Sequence, residues 1–210
     1  MKFLISGYTG LGNFVLKTPL FKAIKEWDNE ATIHIITDPS NEVRYLANQN
    51  PNIDQVYLLE AKASFSDKVS FFRQLKKQHY QAVFISFDAS PNFLNLGSYL
   101  ARIPFRVKHF KIDHTSPKSK LALSRKLLMY PKTLPVPFIA GRHETDLNMD
   151  LLATYLNQPI DNTYSTDIYF NQDSTALEKF NLVPNNYILL QPSCANGLVN
   201  VKSWPTSYFI

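Results

Sequence analysis

The sequence has few cysteines and few glycines, with one cysteine, Cys194, and six glycines in 210 residues. A single cysteine excludes a disulfide framework and any metal cluster built on cysteine ligands. No apolar run approaches the roughly 18 residues that a membrane-spanning helix needs. The chain is apolar only from Met1 to Ile5 before Ser6, so its start lacks the apolar region of a signal peptide. We therefore expect a cytoplasmic protein.

Acidic residues are scarce in one segment of the chain. Between Arg102 and Lys132 lie nine lysines and arginines but one acidic residue, Asp113. Such a segment attracts nucleic acid, an anionic membrane face or a phosphorylated substrate, and a solvated surface is the simpler alternative. Aromatic residues do not alternate with these charges as a groove for single-stranded nucleic acid requires. We therefore do not expect nucleic acid as a partner.

Short apolar runs alternate with amphipathic stretches along the first 110 residues. The runs predict strands at residues 2–6, 32–37, 55–59, 82–87 and 105–107. The amphipathic stretches predict helices at residues 13–27, 38–49, 65–78 and 92–102. This alternation is typical of a parallel sheet with helices on both faces. Right-handed crossovers make it an α/β, doubly wound, Rossmann-like domain.

The pattern after residue 117 predicts fewer elements. A weak helix is predicted at residues 118–132, and the prolines at 131, 135 and 137 break the pattern. A clear amphipathic helix follows at residues 143–156. After a polar segment, the alternation restarts with a helix at 174–181, a strand at 187–191 and a helix that opens at Trp204-Pro205. One strand and two helical pieces cannot enclose a core. We therefore expect a complete domain at 1–166 and the beginning of a second at 167–210.

Three glycines lie between the first predicted strand and helix, in the loop Gly7-Tyr-Thr-Gly10-Leu-Gly12. Glycines permit tight turns and let a ligand approach a helix start closely. The order G-x-x-G-x-G differs from the dinucleotide fingerprint G-x-G-x-x-G, and no Gly-Lys-Ser/Thr follows as in a P-loop. A structural turn and a ligand contact therefore both remain open for this loop.

Six patches of sequence follow one another in a specific order. The first, residues 10–25, reads G-L-G-N-F-V-L-K-T-P-L-F-K-A-I-K. The others are N-P-N-I-D-Q-V at 50–56, H-Y-Q-A-V at 79–83, A-R-I-P-F-R at 101–106, His143-Glu144 before a leucine-rich helix, and Q-P-S at 191–193 with K-S-W-P at 202–205. Together these patches resemble glycosyltransferase family 9, the lipopolysaccharide heptosyltransferases.

The resemblance implies a GT-B architecture, in which two Rossmann-like domains enclose the active site. It implies inverting, metal-independent transfer of a heptose or similar sugar from ADP-heptose to the lipopolysaccharide inner core, with no cofactor. The expected partners are the nucleotide sugar and the anionic core acceptor. This acceptor is presented at the cytoplasmic face of the inner membrane, so we also expect peripheral contact with that membrane through the basic segment.

The resemblance also assigns binding residues. It implies that Ser193 and Lys202 bind the donor diphosphate, whose developing charge requires a cation or a helix N-terminus nearby. The acceptor side is assigned to two loop glycines and four residues of the basic segment: Gly10, Gly12, Arg106, Lys108, Lys111 and Lys120.

The general base is the main departure from the family pattern. The family has an aspartate directly after the second glycine of G-x-G, where this chain has Asn13. An amide can hold a hydroxyl by a hydrogen bond but cannot take its proton at neutral pH. Asp88 is the first substitute, because doubly wound sheets bind ligands at the carboxyl edge; capping the next helix is its alternative role. His109, Asp113 and His114 are further candidates.

Two other functions stay open at this point. A transferase-like domain that lost catalysis at Asn13 would bind anionic glycolipid without transferring sugar. A nicotinamide-dependent Rossmann enzyme is the third alternative, although the reordered glycines and the K-x-W-P segment count against it.

Overall fold

The computed structural model describes residues 1–111, 133–161, 163–170 and 175–188. The chain divides into two units, residues 1–170 and 171–210, and the boundary after residue 166 stays a prediction. The strands of the first unit are β1 (Lys2–Ser6), β2 (Thr32–Thr37), β3 (Gln55–Leu58), β4 (Ala82–Ile85), β5 (Phe105–Lys111) and β6 (Thr133–Phe138). Its helices are α1 (Leu11–Val15), α2 (Thr18–Trp27), α3 (Val43–Gln49), α4 (Phe65–Leu75), α5 (Phe93–Leu100) and α6 (Glu144–Leu156). The second unit contains α7 (Thr175–Lys179).

The strands form one parallel sheet in the order β3-β2-β1-β4-β5-β6. The chain therefore builds outward from β1 to β3, returns to pair β4 with β1, and then builds outward in the other direction. This is the doubly wound order of Rossmann-like domains. The predicted fold class is confirmed.

Helices cover both faces of the sheet. Alternate residues of one strand point to opposite faces, so Phe3 and Ile5 join one core while Leu4 joins the other. The first core contains buried side chains of α2, α3 and α6, and the second contains buried side chains of α4 and α5. Because every residue of β4 is buried, this strand is apolar along its whole length.

The first predicted helix, residues 13–27, is divided into α1 and α2. Pro19 has no N–H to donate to the Val15 carbonyl, and its ring would collide with that carbonyl in a continuous helix. The Thr18 hydroxyl donates to the Val15 carbonyl instead, at 2.8 Å. The prediction of one continuous helix is therefore wrong, and Lys17 lies at the break.

The helix predicted to begin at Asp38 begins only at Val43. Asp38 does not cap it, because its two carboxylate oxygens accept the backbone N–H groups of Ser40, at 2.9 Å, and Ala61, at 2.7 Å. Asn41 accepts the Val43 N–H at 3.0 Å and stabilises the actual start of the helix. Asp38 and Pro39 thus lie in a turn, and the Asp38 carboxylate joins the loop after β2 to the loop after β3.

The sequence pattern predicts a break in the regular structure at the prolines, but Pro135 and Pro137 do not cause one. They belong to β6, which pairs in parallel with β5 at one edge of the described sheet. Pro135 and Pro137 are two residues apart, so both backbone nitrogens can point away from β5. An edge strand tolerates proline for this reason. The sequence analysis missed β6 because it took these prolines as a break in the pattern.

The other predicted helices of the first unit, at residues 65–78, 92–102 and 143–156, are confirmed within a few residues by α4, α5 and α6. The helix predicted at 118–132 lies outside the described residues. Of the strand predicted at 187–191, the first two residues are not in a strand and the rest lie outside the described part.

Gly97 allows α5 to pack closely against α4. A Cβ at Gly97 would lie 2.4 Å from ring atoms of Phe72, which is fully buried. A Gly97→Ala substitution would therefore force that ring to move. Overpacking of this kind costs about 1–3 kcal/mol, against a gain of about 1 kcal/mol in helix propensity.

We expect Gly97→Ala to lower the free energy of unfolding in urea denaturation. Gly12→Ala is the matched control, since a Cβ at Gly12 has no atom within 4 Å. It is expected to leave the free energy of unfolding unchanged or slightly raised. Equal stability of the two variants would contradict the close packing of α4 on α5.

Candidate active site

A cleft opens at the carboxyl edge of the sheet, between the loops that follow β1 and β4. These two strands are neighbours in the sheet, but their chain connections leave in opposite directions. Parallel sheets of this type bind ligands at this position. The cleft has a volume of about 660 Å³ and is lined by Tyr8, Thr9, Gly10, Asn41, Ala61, Phe87, Asp88, Ser90 and Pro91.

Hydrogen bonds hold the loops of the cleft in place. The Ser6 hydroxyl at the end of β1 donates to the Ala89 carbonyl at 2.6 Å, which joins the loop after β4 to β1. The Asn41 amide donates to the Thr9 carbonyl at 2.7 Å. The loop after β1 is therefore fixed from both sides before any ligand binds.

A buried ion pair lies in the wall of the cleft. The Lys17 Nζ is 2.5 Å from Asp88 Oδ2, and the two side chains are only 1% and 7% exposed. The Thr9 hydroxyl donates to the same oxygen at 2.5 Å. The other oxygen, Asp88 Oδ1, is buried without a hydrogen-bond partner among the described residues.

The environment keeps Asp88 ionised. Burial alone would raise the pKa of Asp88, but the Lys17 ammonium and the hydroxyls of Ser86 and Thr9 outweigh burial and lower it. Ser86 acts here at short range without a regular hydrogen bond, since its hydroxyl has no partner among the described residues. Burial lowers the pKa of Lys17, while Asp88 and then Glu144 oppose that change. The cleft therefore holds a carboxylate at neutral pH.

His109 lies behind the ion pair. Its ring packs edge-on against Phe87, at 5.8 Å between centroids, and neither ring nitrogen has a hydrogen-bond partner in the described part of the chain. Burial and the positive charge of Lys17 lower the pKa of His109 to about 4, although the Leu147 backbone and Asp88 partly oppose this shift. The imidazole is therefore neutral at pH 7.

Two of the loop glycines are not required by packing. A Cβ at Gly10 or Gly12 would meet no atom within 4 Å, and neither residue has a positive φ. At Gly7, by contrast, a Cβ would lie 2.8 Å from the Ile35 side chain. Gly7 is therefore explained by the close approach of β2, whereas Gly10 leaves open space in the wall of the cleft.

With this geometry, the fold can be compared with known proteins. No protein-family model matches the sequence, and no curated protein matches it. Among solved structures, a glycosyltransferase family 9 protein from Veillonella parvula DSM 2008 matches with a TM-score of 0.60 at 16% identity, over 88% of this chain and 50% of that one. The E. coli ADP-heptose LPS heptosyltransferase II matches with a TM-score of 0.60 at 14% identity, over 88% of this chain and 52% of that one.

A third solved structure, E. coli heptosyltransferase WaaC with ADP-2-deoxy-2-fluoro heptose, has a TM-score of 0.54 at 17% identity, over 80% of this chain and 51% of that one. The chain shares its fold with the part of these glycosyltransferase structures that it matches. At these identities the likeness concerns the fold. The chain spans about half the length of each of these family 9 and heptosyltransferase structures.

The position that is aspartate in the family 9 motif lies beside the cleft. Asn13 is the third residue of α1 and is partly exposed, and it is not among the residues that line the cleft. Asp88 does line it, and the helix-capping alternative does not apply, since α5 has Asn92 at its N-cap without a side-chain hydrogen bond. The catalytic roles of both residues stay predictions.

The residues predicted to bind the acceptor are not all at the surface. Arg106 is buried, and its guanidinium donates to the Asn95 carbonyl at 3.1 Å and to the Ser98 hydroxyl at 3.3 Å. Burial lowers its pKa. Lys108 is partly exposed and donates to the Asn95 side chain at 3.3 Å. Arg106 thus anchors α5 to β5, and its predicted contact with an acceptor stays a prediction.

Several predicted residues cannot be placed. Lys111 ends β5, but its side chain is outside the described part of the structure. The predicted donor residues, one predicted acceptor residue and two candidate bases lie outside the described residues altogether: Ser193, Lys202, Lys120, Asp113 and His114.

The sequence analysis missed Lys17 and Thr9 as partners of Asp88. The sequence pattern places Lys17 among several charged residues of one helix. In the structure it lies at the break that Pro19 causes, and its side chain is buried. Proline within a predicted helix was the available signal. No local pattern identified Thr9, because its contact with Asp88 joins residues that are far apart in the chain.

The described residues contain no helix long and apolar enough to cross a membrane.

Because two histidines are buried in the neutral form, we expect the free energy of unfolding to fall in mild acid. His109 and His34 both have a folded-state pKa of about 4, against an ordinary value of 6.5. Between these values the unfolded chain binds protons that the folded protein does not, so the free energy of unfolding falls as the pH is lowered. His109→Phe should reduce this pH dependence by about one proton, leaving the contribution of His34. Urea denaturation at a series of pH values measures the slope, and an unchanged slope would contradict the buried, neutral state of His109.

Proposed function

We propose that this protein is a glycosyltransferase that transfers a heptose or a similar sugar from ADP-heptose to the lipopolysaccharide inner core. The observation that carries the proposal is the cleft between the loops after β1 and β4, with an ionised carboxylate, Asp88, in its wall. The fold shared with family 9 glycosyltransferases and the six patches of sequence support the choice of reaction. A neutral hydroxylated acceptor group fits an open cleft that contains a hydrogen-bond acceptor.

In the proposed reaction, a hydroxyl of the acceptor attacks the anomeric carbon of the donor sugar from the face opposite the diphosphate. The configuration inverts, and no metal takes part. The first domain holds the acceptor through the cleft. Ser193 and Lys202 stabilise the charge that develops on the departing diphosphate, as the resemblance implies.

The basic segment would bind the anionic core of the acceptor and bring the protein to the cytoplasmic face of the inner membrane. Its charge supports this role, because clustered lysines and arginines attract anionic surfaces. A cytoplasmic location with peripheral membrane contact follows from the same proposal.

Asn13 favours one alternative function. A domain that has lost catalysis can carry an amide at the family's aspartate position. Such a domain would bind anionic glycolipid without transferring sugar. The alternative and the transferase share the same fold and differ in the fate of the donor.

A transfer assay separates the two. The full-length protein is incubated with ADP-heptose and a heptose-deficient lipopolysaccharide core, and the acceptor is analysed by mass spectrometry. We expect one added heptose per acceptor. Asn13→Asp, which restores the family's carboxylate, should transfer at least as fast, since a positioned base typically contributes about 10²–10⁴ in rate. Binding of the core without transfer by either chain would establish the glycolipid-binding alternative.

A further inference from the structure

The carboxylate of Asp88 is unequally satisfied. Its Oδ2 receives two short hydrogen bonds, from the Lys17 ammonium and the Thr9 hydroxyl, each at 2.5 Å. Its Oδ1 is buried and receives none from the described residues. A buried polar atom without a partner costs free energy, so each case requires an explanation such as a catalytic role. The unsatisfied oxygen belongs to a residue that lines the cleft.

The neighbouring groups indicate what this oxygen can receive. An ionised carboxylate is an acceptor only, so its missing partner must be a donor. The Ser86 hydroxyl beside it is also without a partner, and the His109 imidazole behind it is neutral because its pKa falls to about 4. Ser86 is a nearby donor among the described residues, but its hydroxyl makes no regular hydrogen bond to this oxygen, so a donor from a ligand can still complete the carboxylate. A hydroxyl group of a ligand has the required chemistry.

The cleft has room for such a ligand. Its volume of about 660 Å³ lies within the range of small-molecule sites, roughly 300–1,000 Å³. Gly10 faces the same space, and its missing side chain is not explained by packing. The loop of Thr9 and Gly10 is fixed by Asn41, and the Thr9 hydroxyl in turn holds the Asp88 carboxylate.

We propose that Asp88 is the general base of this site, which takes the proton of the acceptor sugar's hydroxyl, and that Lys17 and Thr9 are its positioning residues. This inference rests on the proposed transferase function. It assigns the base to a residue of the loop after β4 in place of Asn13, whose amide cannot take a proton.

The step is balanced without further reactants. The acceptor O–H bond breaks, and its proton passes to Asp88 Oδ1, either in direct contact or across one water. The hydroxyl oxygen forms a bond to the anomeric carbon of the donor sugar. The bond from that carbon to the diphosphate oxygen breaks, and its electron pair leaves with the nucleoside diphosphate.

Lys17 and Thr9 act only through Asp88. Both donate to Oδ2, which fixes the carboxylate plane and leaves the lone pairs of Oδ1 for the hydroxyl. Lys17 comes from the break between α1 and α2 and has no exposed surface from which it could contact a substrate. Its charge offsets the effect of burial and keeps Asp88 in the ionised form, which is the form that accepts a proton, although the same charge lowers the proton affinity of the carboxylate.

The test compares Asp88→Asn and Asp88→Glu with the natural chain. Acceptor binding is measured by calorimetry with the heptose-deficient core oligosaccharide, and transfer is measured with ADP-heptose. We expect Asp88→Asn to lower kcat by about 10²–10⁴ and to weaken core binding by about tenfold. Asp88→Glu retains the counter-ion of Lys17 but displaces the carboxylate, so it should keep the thermal stability and still lose most of kcat.

Asp54→Asn is the matched control. Asp54 also pairs with a lysine, Lys25, at 2.9 Å, but it precedes β3 and so lies at the opposite edge of the sheet. This variant should bind and transfer as the natural chain does. If Asp88→Asn unfolds, Asp88→Glu still tests the proposal, because a role confined to pairing with Lys17 predicts natural kcat for it.

The positioning residues are tested in pairs. Thr9→Val and Lys17→Met should each lower kcat with little change in the acceptor KM, and Thr9→Val should have no further effect on kcat in Asp88→Asn. Additive losses would overturn the positioning role. Natural kcat and natural core binding in a folded Asp88→Asn or Asp88→Glu would overturn the proposal for the base. Loss of core binding in Asp88→Asn, with no transfer by the natural chain, would reject the transferase function but retain the hydroxyl site.

Discussion

The ion pair between Lys17 and Asp88 joins the parts of the carboxyl edge that are separate in the chain. The two residues are 71 positions apart, one at the break between α1 and α2 and the other in the loop after β4. Removing two charges from water is costly, and the pair is tolerated only because its geometry is close and Thr9 adds a further donor. The broken helix, the loop after β1 and the loop after β4 therefore depend on one another.

Much of the fold could be predicted from local pattern because the central strands are buried on both faces. Such strands are continuous apolar runs, and β1, β2 and β4 were found in this way. Two of the errors occurred where prolines changed the meaning of a pattern. Pro19 divides a helix that its apolar period predicts as continuous, and Pro135 and Pro137 conceal an edge strand. In both cases backbone hydrogen bonding decided the outcome, and side-chain periodicity does not report it.

The candidate site was predictable only as far as topology determines it. Asp88 could be found because the end of a strand next to the first strand faces the cleft in any doubly wound sheet. Thr9 could not be found, since it meets Asp88 through long-range packing, and Pro19 within the predicted helix was the one signal for Lys17. Arg106 shows a different limit of sequence reasoning. A basic residue in a basic segment suggested an exposed contact, but Arg106 lies on a strand whose alternation places its side chain under α5, where it is buried. Charge patterns along a sequence do not distinguish these two positions.

The prolines of β6 have a consequence for how this sheet meets other molecules. The free edge of a sheet is a template on which a strand from another chain can be added by backbone hydrogen bonds. At Pro135 and Pro137 such a strand would find no N–H group, so two successive rungs of the ladder could not form. Growth of the described sheet by strand addition is thereby opposed at β6, and the edge formed by β3 is the one left available for it.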